Sequence, residues 1–436
     1  MAKLLFLTVG VGVDGDISSG IERLIERENP DKAIFIGSEE SRQKVYDPYL
    51  SGKELIKRCQ PEWHTLTDEN NHKTIYEDCK LIMDRYRIQH PVEKNHYVAD
   101  FTTGTKAMSV GLALAAVARE FQFLSYIYGK REKGRVIPGT EVPISLSPKT
   151  FYLDRDLKKV IELFNLHQFP AAAQLVLGFY SHQQDKAFQN KVEFLRNLIS
   201  GFWQWDLFQF KEANKIFTEL TRNEETADLL KALKLYKKMD GINQNLYLCL
   251  KNPYSEILAA DLFENALRRL SEGKYDDAVA RFYRLTEFLA QYILKTEYKI
   301  DTDNVDLSQL PGNVSEETKE KAKEILPNPR DGKIQISMEK SYKLLEILGH
   351  PIGSRFFNEP DIKELQRKRN YSILAHGFQP IGKETCEKLK TILESYFNHI
   401  LPKFPHYRDE SKFPVLELDL MEKLFYENEP AQVIKK

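Results

Sequence analysis

Two short stretches of this 436-residue chain hold side chains whose types and spacing could do chemistry. The first is Asp100-Phe-Thr-Thr-Gly-Thr-Lys106, which ends an apolar β-prone run (Tyr97–Phe101) and opens an Ala-rich helical stretch, Thr105–Glu120. A helix N-terminus offers unpaired N–H groups and a positive dipole end. Gly104 lets backbone approach a ligand closely. The hydroxyls of Thr102, Thr103 and Thr105 can donate to phosphate or ribose oxygens, and Lys106 can supply charge. The P-loop pattern GxxxxGK[ST] is absent. A plain helix cap would use the same Thr and Asp side chains. Two further turns favour a ligand crevice: Thr8-Val9-Gly10 ends the first apolar run and Gly37-Ser38 ends the second. In a parallel open sheet such carboxyl-end turns converge on one crevice. The ligand candidates are therefore Thr8, Gly10, Ser38, Thr102, Thr103, Gly104, Thr105 and Lys106.

The second stretch is Arg369-Asn370 with His376, seven residues beyond the arginine. On a continuous helix this spacing places Arg369 and His376 on one face, about two turns apart. Histidine is suited to proton transfer near neutral pH. Arginine can stabilise charge developing on a phosphate during transfer. Asn370 could orient either group. Metal-free RNA cleavage needs these roles. A packed histidine beside a solvated arginine is the plainer alternative. Arg58/His64 and Arg85/His90 have similar spacing, but Pro61 interrupts the first and Pro91 follows the second. Only Arg369 is followed by Asn within a cationic flank of Lys363, Arg367 and Lys368.

The elements that must position these groups differ along the chain. Residues 1–152 alternate continuous apolar runs (Lys3–Val9, Ala33–Gly37, Tyr97–Phe101, Phe121–Tyr128) with amphipathic stretches, which predicts a Rossmann-like parallel sheet covered on both faces. Val136–Leu146 reads as a terminal hairpin around Pro138-Gly139. Residues 153–260 read as helical hairpins, with aromatic-x-x-Ala helix entries at Phe169 and Phe210, recurring at Tyr275. Trp203, Trp205, Phe202, Phe208 and Phe210 read as core rather than a base-stacking surface, because basic residues are not interleaved. Residues 261–436 form a third, helical region. Its polar insertion, 301–332, carries a short helix; further helices are expected over Asp361–His376 and Lys383–Leu401. The tail from Pro402 reads as mostly irregular, with a strand at Val415–Leu418.

Composition excludes several classes. Lys plus Arg total 63 against 64 Asp plus Glu, a net charge of −1, so no bulk basic surface for coating nucleic acid is present. Cys59, Cys79, Cys249 and Cys386 lie far apart, with no CxxC pair, which predicts neither a zinc knuckle nor a disulfide framework and suits a reduced, cytoplasmic setting. No run of 18 apolar residues occurs, so no membrane partner is expected.

Asp100-Phe-Thr-Thr-Gly-Thr-Lys106-Ala-Met-Ser resembles the D-x-[T/S]-x-G-T-K-x-M-[S/A] signature of CARF domains, the Rossmann-like ligand sensors of type III CRISPR systems. Thr8-Val9-Gly10 and Gly37-Ser38 look like that family's other ligand loops. Arg369-Asn370 with His376 resembles the R-[N/H/D]-x-H motif, of variable spacing, in HEPN ribonucleases. The residues 261–298 look like that domain's first helices. The resemblance implies an α/β sensor followed by all-α regions, the last HEPN-like. It implies a homodimer binding cyclic oligoadenylate across its two-fold axis, and a composite site of two copies of Arg369, Asn370 and His376. The activity implied is metal-independent endoribonuclease cleavage of single-stranded RNA in antiviral defence, with the cyclic oligoadenylate as allosteric activator and no cofactor or metal. Two other readings stay open: a non-catalytic sensor or adaptor, and a ring nuclease degrading the cyclic ligand in the sensor domain.

Overall fold

The computed structural model describes residues 1–11, 16–91, 95–132, 135–137, 140, 142–179, 185–329, 331–375 and 377–426. The chain divides into two compact units, Met1–Arg155 and Asp156–Lys436.

The first unit is built on strands β1 (Lys3–Val9), β2 (Lys32–Gly37), β3 (Glu62–Thr65), β4 (His96–Asp100) and β5 (Phe123–Tyr128). A short ladder joins β6 (Arg131–Glu132) to β7 (Arg135–Val136), and β8 (Val142–Leu146) completes the set. The main sheet runs β3-β2-β1-β4-β5-β8, parallel except for β8. Alternate residues of one strand serve opposite faces. Leu4 and Phe6 pack with Ile75, Met83, Met108 and Leu112, whereas Leu5, Leu7 and Val9 pack with Ile21, Leu24 and Val45. Burial on both faces is why these strands read as unbroken apolar runs. The expected 136–146 hairpin is not formed. β8 instead lies antiparallel along β5, with Tyr128 opposite Val142 and Leu124 opposite Leu146, covering what would otherwise be an open sheet edge. The Pro138-Gly139 turn lies outside the described residues. β3 has no counterpart among the expected strands. Only four residues long and half-exposed, it lacks the apolar run that marks its neighbours.

The second unit is helical. The helix Lys149–Asn165 leads into it from the first unit, and its hairpins follow with Phe169–Gly178, Lys186–Asp206 and Phe210–Arg222, then Glu224–Ala232 and Tyr236–Lys251. The aromatic-x-x-Ala entries act as expected: Ala172, Ala213 and Ala278 are fully buried where neighbouring helices approach. At Gly201 an added Cβ would lie 2.2 Å from the Phe217 ring, so this crossing requires glycine. Phe202 and Trp205 are core residues, packed at tilted and edge-on angles among Phe217 and Phe413. Next come Glu256–Ser271 and Tyr275–Tyr298, separated where Gly273 takes φ +74°. The polar insertion contains a helix at Glu316–Ile325, followed by helices Met338–Ile347, Pro351–Asn358, Pro360–Tyr371 and Lys383–Ile400.

Two expectations fail in this unit. Among its described residues the tail is not mostly irregular: Phe404–Ser411 and Leu418–Tyr426 are helices. Val415–Leu418 is not a strand, because the Asn165 side chain takes both the N–H and the C=O of Leu416, at 2.9 and 3.0 Å, in place of a strand partner. The helix expected over Asp361–His376 ends at Tyr371. There the chain turns back: Ala375 and Gly377 N–H both donate to Ser372 C=O at 3.1 Å, and Gln379 N–H donates to Tyr371 C=O. A Cβ on Gly377 would sit 2.0 Å from the Tyr371 carbonyl oxygen, so this reversal needs glycine.

Candidate functional site

The strand order reverses between β1 and β4, and both strands end in candidate residues. This is the position at which open parallel sheets bind ligands. Thr8 and Thr103 lock the two loops together reciprocally: each hydroxyl donates to the other residue's backbone carbonyl. Gly10 faces Gly104 so closely that a Cβ on Gly10 would lie 2.7 Å from Gly104 Cα. Gly104 itself takes φ +106°, a conformation that glycine reaches without penalty.

The remaining hydroxyls are also engaged. Thr102 accepts from Ile127 N–H at 2.8 Å, tying the turn to β5, and its own N–H donates to Asp100 at 3.0 Å. Thr105 caps the helix Lys106–Ala118, accepting from Met108 N–H at 3.2 Å and donating to the Glu69 carbonyl. Ser38 caps the short helix Glu39–Ser41 by accepting from Ser41 N–H at 3.2 Å. The capping reading therefore applies to this turn: the hydroxyls build it. A ligand would meet the backbone amides that helix geometry leaves unpaired at Lys106 and Ala107, with the exposed Lys106 side chain beside them. Sequence reasoning underrated Asp100. It is buried at the base of the turn, and burial pushes its carboxyl up to about 6, opposed by its bond with Thr102.

In the second unit, Arg369 and Asn370 sit in the last turn of Pro360–Tyr371. Arg369 Nη1 donates to Asn370 Oδ1 at 3.1 Å, and its guanidinium lies over the Tyr283 ring, 4.7 Å from the centroid. Burial raises the Glu287 carboxyl above its ordinary value, with Arg284 and Arg369 opposing. Asn370 opens onto a cleft of about 170 Å³, shared with Tyr283, Ser337, Met338, Glu339 and Gln366. His376 lies outside the described residues. Because the helix ends five residues before it, one helix face does not carry both Arg369 and His376. Any meeting of the two rests on the turn that follows Tyr371. Tyr283 and Glu287, eighty residues upstream, carry no motif that would have linked them to Arg369.

Residues 152–245 match the family model of the Csm6 6H domain, and residues 248–400 match that of the Csm6 HEPN domain. Together these spans take in more than half of the chain, including Arg369, Asn370 and His376. The chain belongs to the Csm6 family. It is thus a CARF–HEPN protein of the type III CRISPR kind, and the sheet unit is its Rossmann-like part. Among solved structures it is similar in fold to Enterococcus italicus Csm6 bound to cyclic hexa-2'-fluoro-hexa-dAMP. The identity is 15%, the TM-score 0.59, and the match covers 97% of this chain and 100% of that one. No curated protein matches the sequence. The 6H match gives the middle helical hairpins a family identity that the spacing of their aromatic entries could not supply. No helix among the described residues is long and apolar enough to cross a membrane.

Proposed function

We propose that this protein is an endoribonuclease switched on by cyclic oligoadenylate bound at the β1/β4 crevice. One observation carries the reading: the span matching the Csm6 HEPN domain contains Arg369 and Asn370, bonded to each other at the mouth of an open cleft. The similar Enterococcus italicus protein was solved with a cyclic hexa-adenylate analogue, which supports the same class of ligand here. In the chemistry proposed, the RNA 2′-oxygen attacks the adjacent phosphorus and the 5′-oxygen leaves. His376 takes the 2′-hydroxyl proton or returns a proton to the leaving oxygen. Arg369 offsets the charge of the pentacoordinate phosphate, and Asn370 holds the guanidinium. The products are a 2′,3′-cyclic phosphate and a 5′-hydroxyl, and no metal or cofactor enters the step.

A second copy completes the site. The turn after Arg369 leaves Tyr371, Ile373, Leu374 and Phe378 exposed, Phe378 by 90%, beside the proposed catalytic groups. Large apolar side chains exposed this close together in the chain suit coverage by another copy. A homodimer would place two Arg369–Asn370 pairs face to face, and a symmetric ring would meet each ligand loop twice.

The test is cleavage of single-stranded RNA with and without each cyclic oligoadenylate, in EDTA, using wild type and His376→Ala. The expected result is ligand-dependent cutting by wild type and a loss of at least about a hundredfold in the variant, the scale of a missing general acid or base. Ligand binding by both proteins with no cutting by either would refute the nuclease reading and leave an adaptor. Loss of the ring itself during incubation would point to a ring nuclease.

A further inference from the structure

The second unit holds another cleft beside the one Asn370 opens onto. It has a volume of about 390 Å³ and is lined by Pro327, Asn328, Lys333, Gln335, Ile336, Ser337 and Lys340. That volume falls within the roughly 300–1,000 Å³ of small-ligand sites. Its wall is an extended strap, residues 333–337. Ile336 N–H donates to the Thr302 carbonyl at 3.0 Å, and Ile334 C=O accepts from Val305 N–H at 2.8 Å. Ile334 and Ile336 pack against the helical core. Extended backbone alternates its side chains, so pinning these two isoleucines inward turns Lys333, Gln335 and Ser337 outward, where all three line the cleft. Ser337 lines both clefts, so the polar surface runs on from Lys333 to Asn370.

Charge marks this strap out. On the neighbouring helix Lys319, Lys321 and Lys323 are paired with Glu316, Glu317 and Glu320, and nearby Lys343 is paired with Glu346. Among the described residues Lys333 and Lys340 have no carboxylate partner, and no carboxylate lines their cleft. Two uncompensated cations with amide and hydroxyl groups between them suit a phosphodiester with an adjoining ribose or base.

We propose that the strap 333–337, together with Lys340, is a subsite that holds the RNA backbone next to the phosphodiester being cut. The inference rests on the ribonuclease reading above. It gives the polar insertion a role in substrate binding: its chain returns as the strap and carries Lys333 to the cleft that shares Ser337 with the one Asn370 lines.

The test uses the full chain with its cyclic oligoadenylate. RNA cleavage is measured against RNA and salt concentration for wild type, K333A/K340A and K333R/K340R. The alanine variant should raise KM about tenfold with kcat within twofold. It should also flatten the log–log salt dependence of kcat/KM by about 1.4, roughly 0.7 for each single-strand phosphate that the protein no longer neutralises. The arginine variant should retain the wild-type values, and the activator concentration for half-maximal rate should be the same in all three. An unchanged KM and salt slope in a cutting K333A/K340A protein overturns the subsite. Anisotropy with a non-cleavable 2′-O-methyl RNA separates the two readings. If wild type does not cut but the alanine variant binds this RNA more weakly, the nuclease reading falls and the subsite stands. Equal affinity removes the subsite.

Discussion

Asp206→Asn should break the joint between the middle hairpins and the helix Glu256–Ser271. Asp206, the last residue of its helix, is 5% exposed and accepts from Arg268 Nε at 2.8 Å, Arg269 Nη2 at 2.6 Å and Asn265 Nδ2 at 3.1 Å. Removing the charge strands these cations unequally. Arg269 keeps Glu272 at 2.8 Å, whereas Arg268, also 5% exposed, keeps only the Phe413 ring, with its guanidinium 3.8 Å from the centroid, and the neighbouring Asp261. The cost is therefore that of one uncompensated buried cation, about 3–5 kcal/mol. Urea unfolding followed by helical circular dichroism should show this loss as a lower midpoint. The double variant Asp206→Asn/Arg268→Met removes the stranded charge and should recover at least about 2 kcal/mol of it. A single-variant loss below about 1 kcal/mol, or a double variant no more stable than Asp206→Asn, would refute the view that this pair is desolvated.

Two further perturbations test the turn and the core. Gly10→Ala drives a Cβ to 2.7 Å from Gly104 Cα, so the loops locked by Thr8 and Thr103 must separate. Thermal unfolding should show the sheet unit about 1–3 kcal/mol less stable, with weakened cyclic-oligoadenylate binding; wild-type stability and binding would show that the loops part freely. Asp261 is fully buried, and desolvation raises its carboxyl from 3.8 to about 7, with Arg268 opposing and Asp206 and Glu264 adding to the rise. Folded protein therefore holds a proton that the unfolded chain has released between about pH 4 and pH 7. Stability falls as pH rises through that window, by at most about 4 kcal/mol. Asp261→Asn should flatten this slope, and parallel pH profiles for variant and wild type would refute the assignment.

What was legible in the sequence follows from how each feature is encoded. The parallel sheet could be read because strands buried on both faces cannot hide their apolar runs. The turn Asp100–Lys106 could be read because helix entry and loop chemistry are local. The pairing of β8 could not, since an edge strand takes whichever free edge lies near it, and Pro138-Gly139 suggests a local turn instead. The end of the helix at Tyr371 is hidden because Ser-Ile-Leu-Ala keeps an apolar helical rhythm. The break depends on Gly377 meeting the Tyr371 carbonyl, six residues earlier in the chain. The Leu416 segment has the composition of a strand, but its partner is one Asn165 side chain 251 positions earlier, which no local pattern encodes.

The net charge of −1 acquires a different meaning once the charges are placed. Equal counts give the near-neutrality, and pairing makes it local: along the exposed helix Glu316–Ile325, lysines sit beside glutamates. Such exposed pairs add little to stability and leave little field for a polyanion. On the proposed reading, in which the chain cuts RNA only when signalled, this arrangement is an advantage. General cationic attraction would hold RNA whether or not the ligand were bound, and so would add nothing to the difference between the two states. Coupling requires binding energy that differs between states. On the proposed reading, that energy is concentrated in a few groups beside the site: Arg369, whose own chain already holds it by Tyr283 and Asn370, and the strap lysines. In the proposed homodimer, RNA affinity then depends on how two copies align their clefts, which is the property a ring bound by both copies would control.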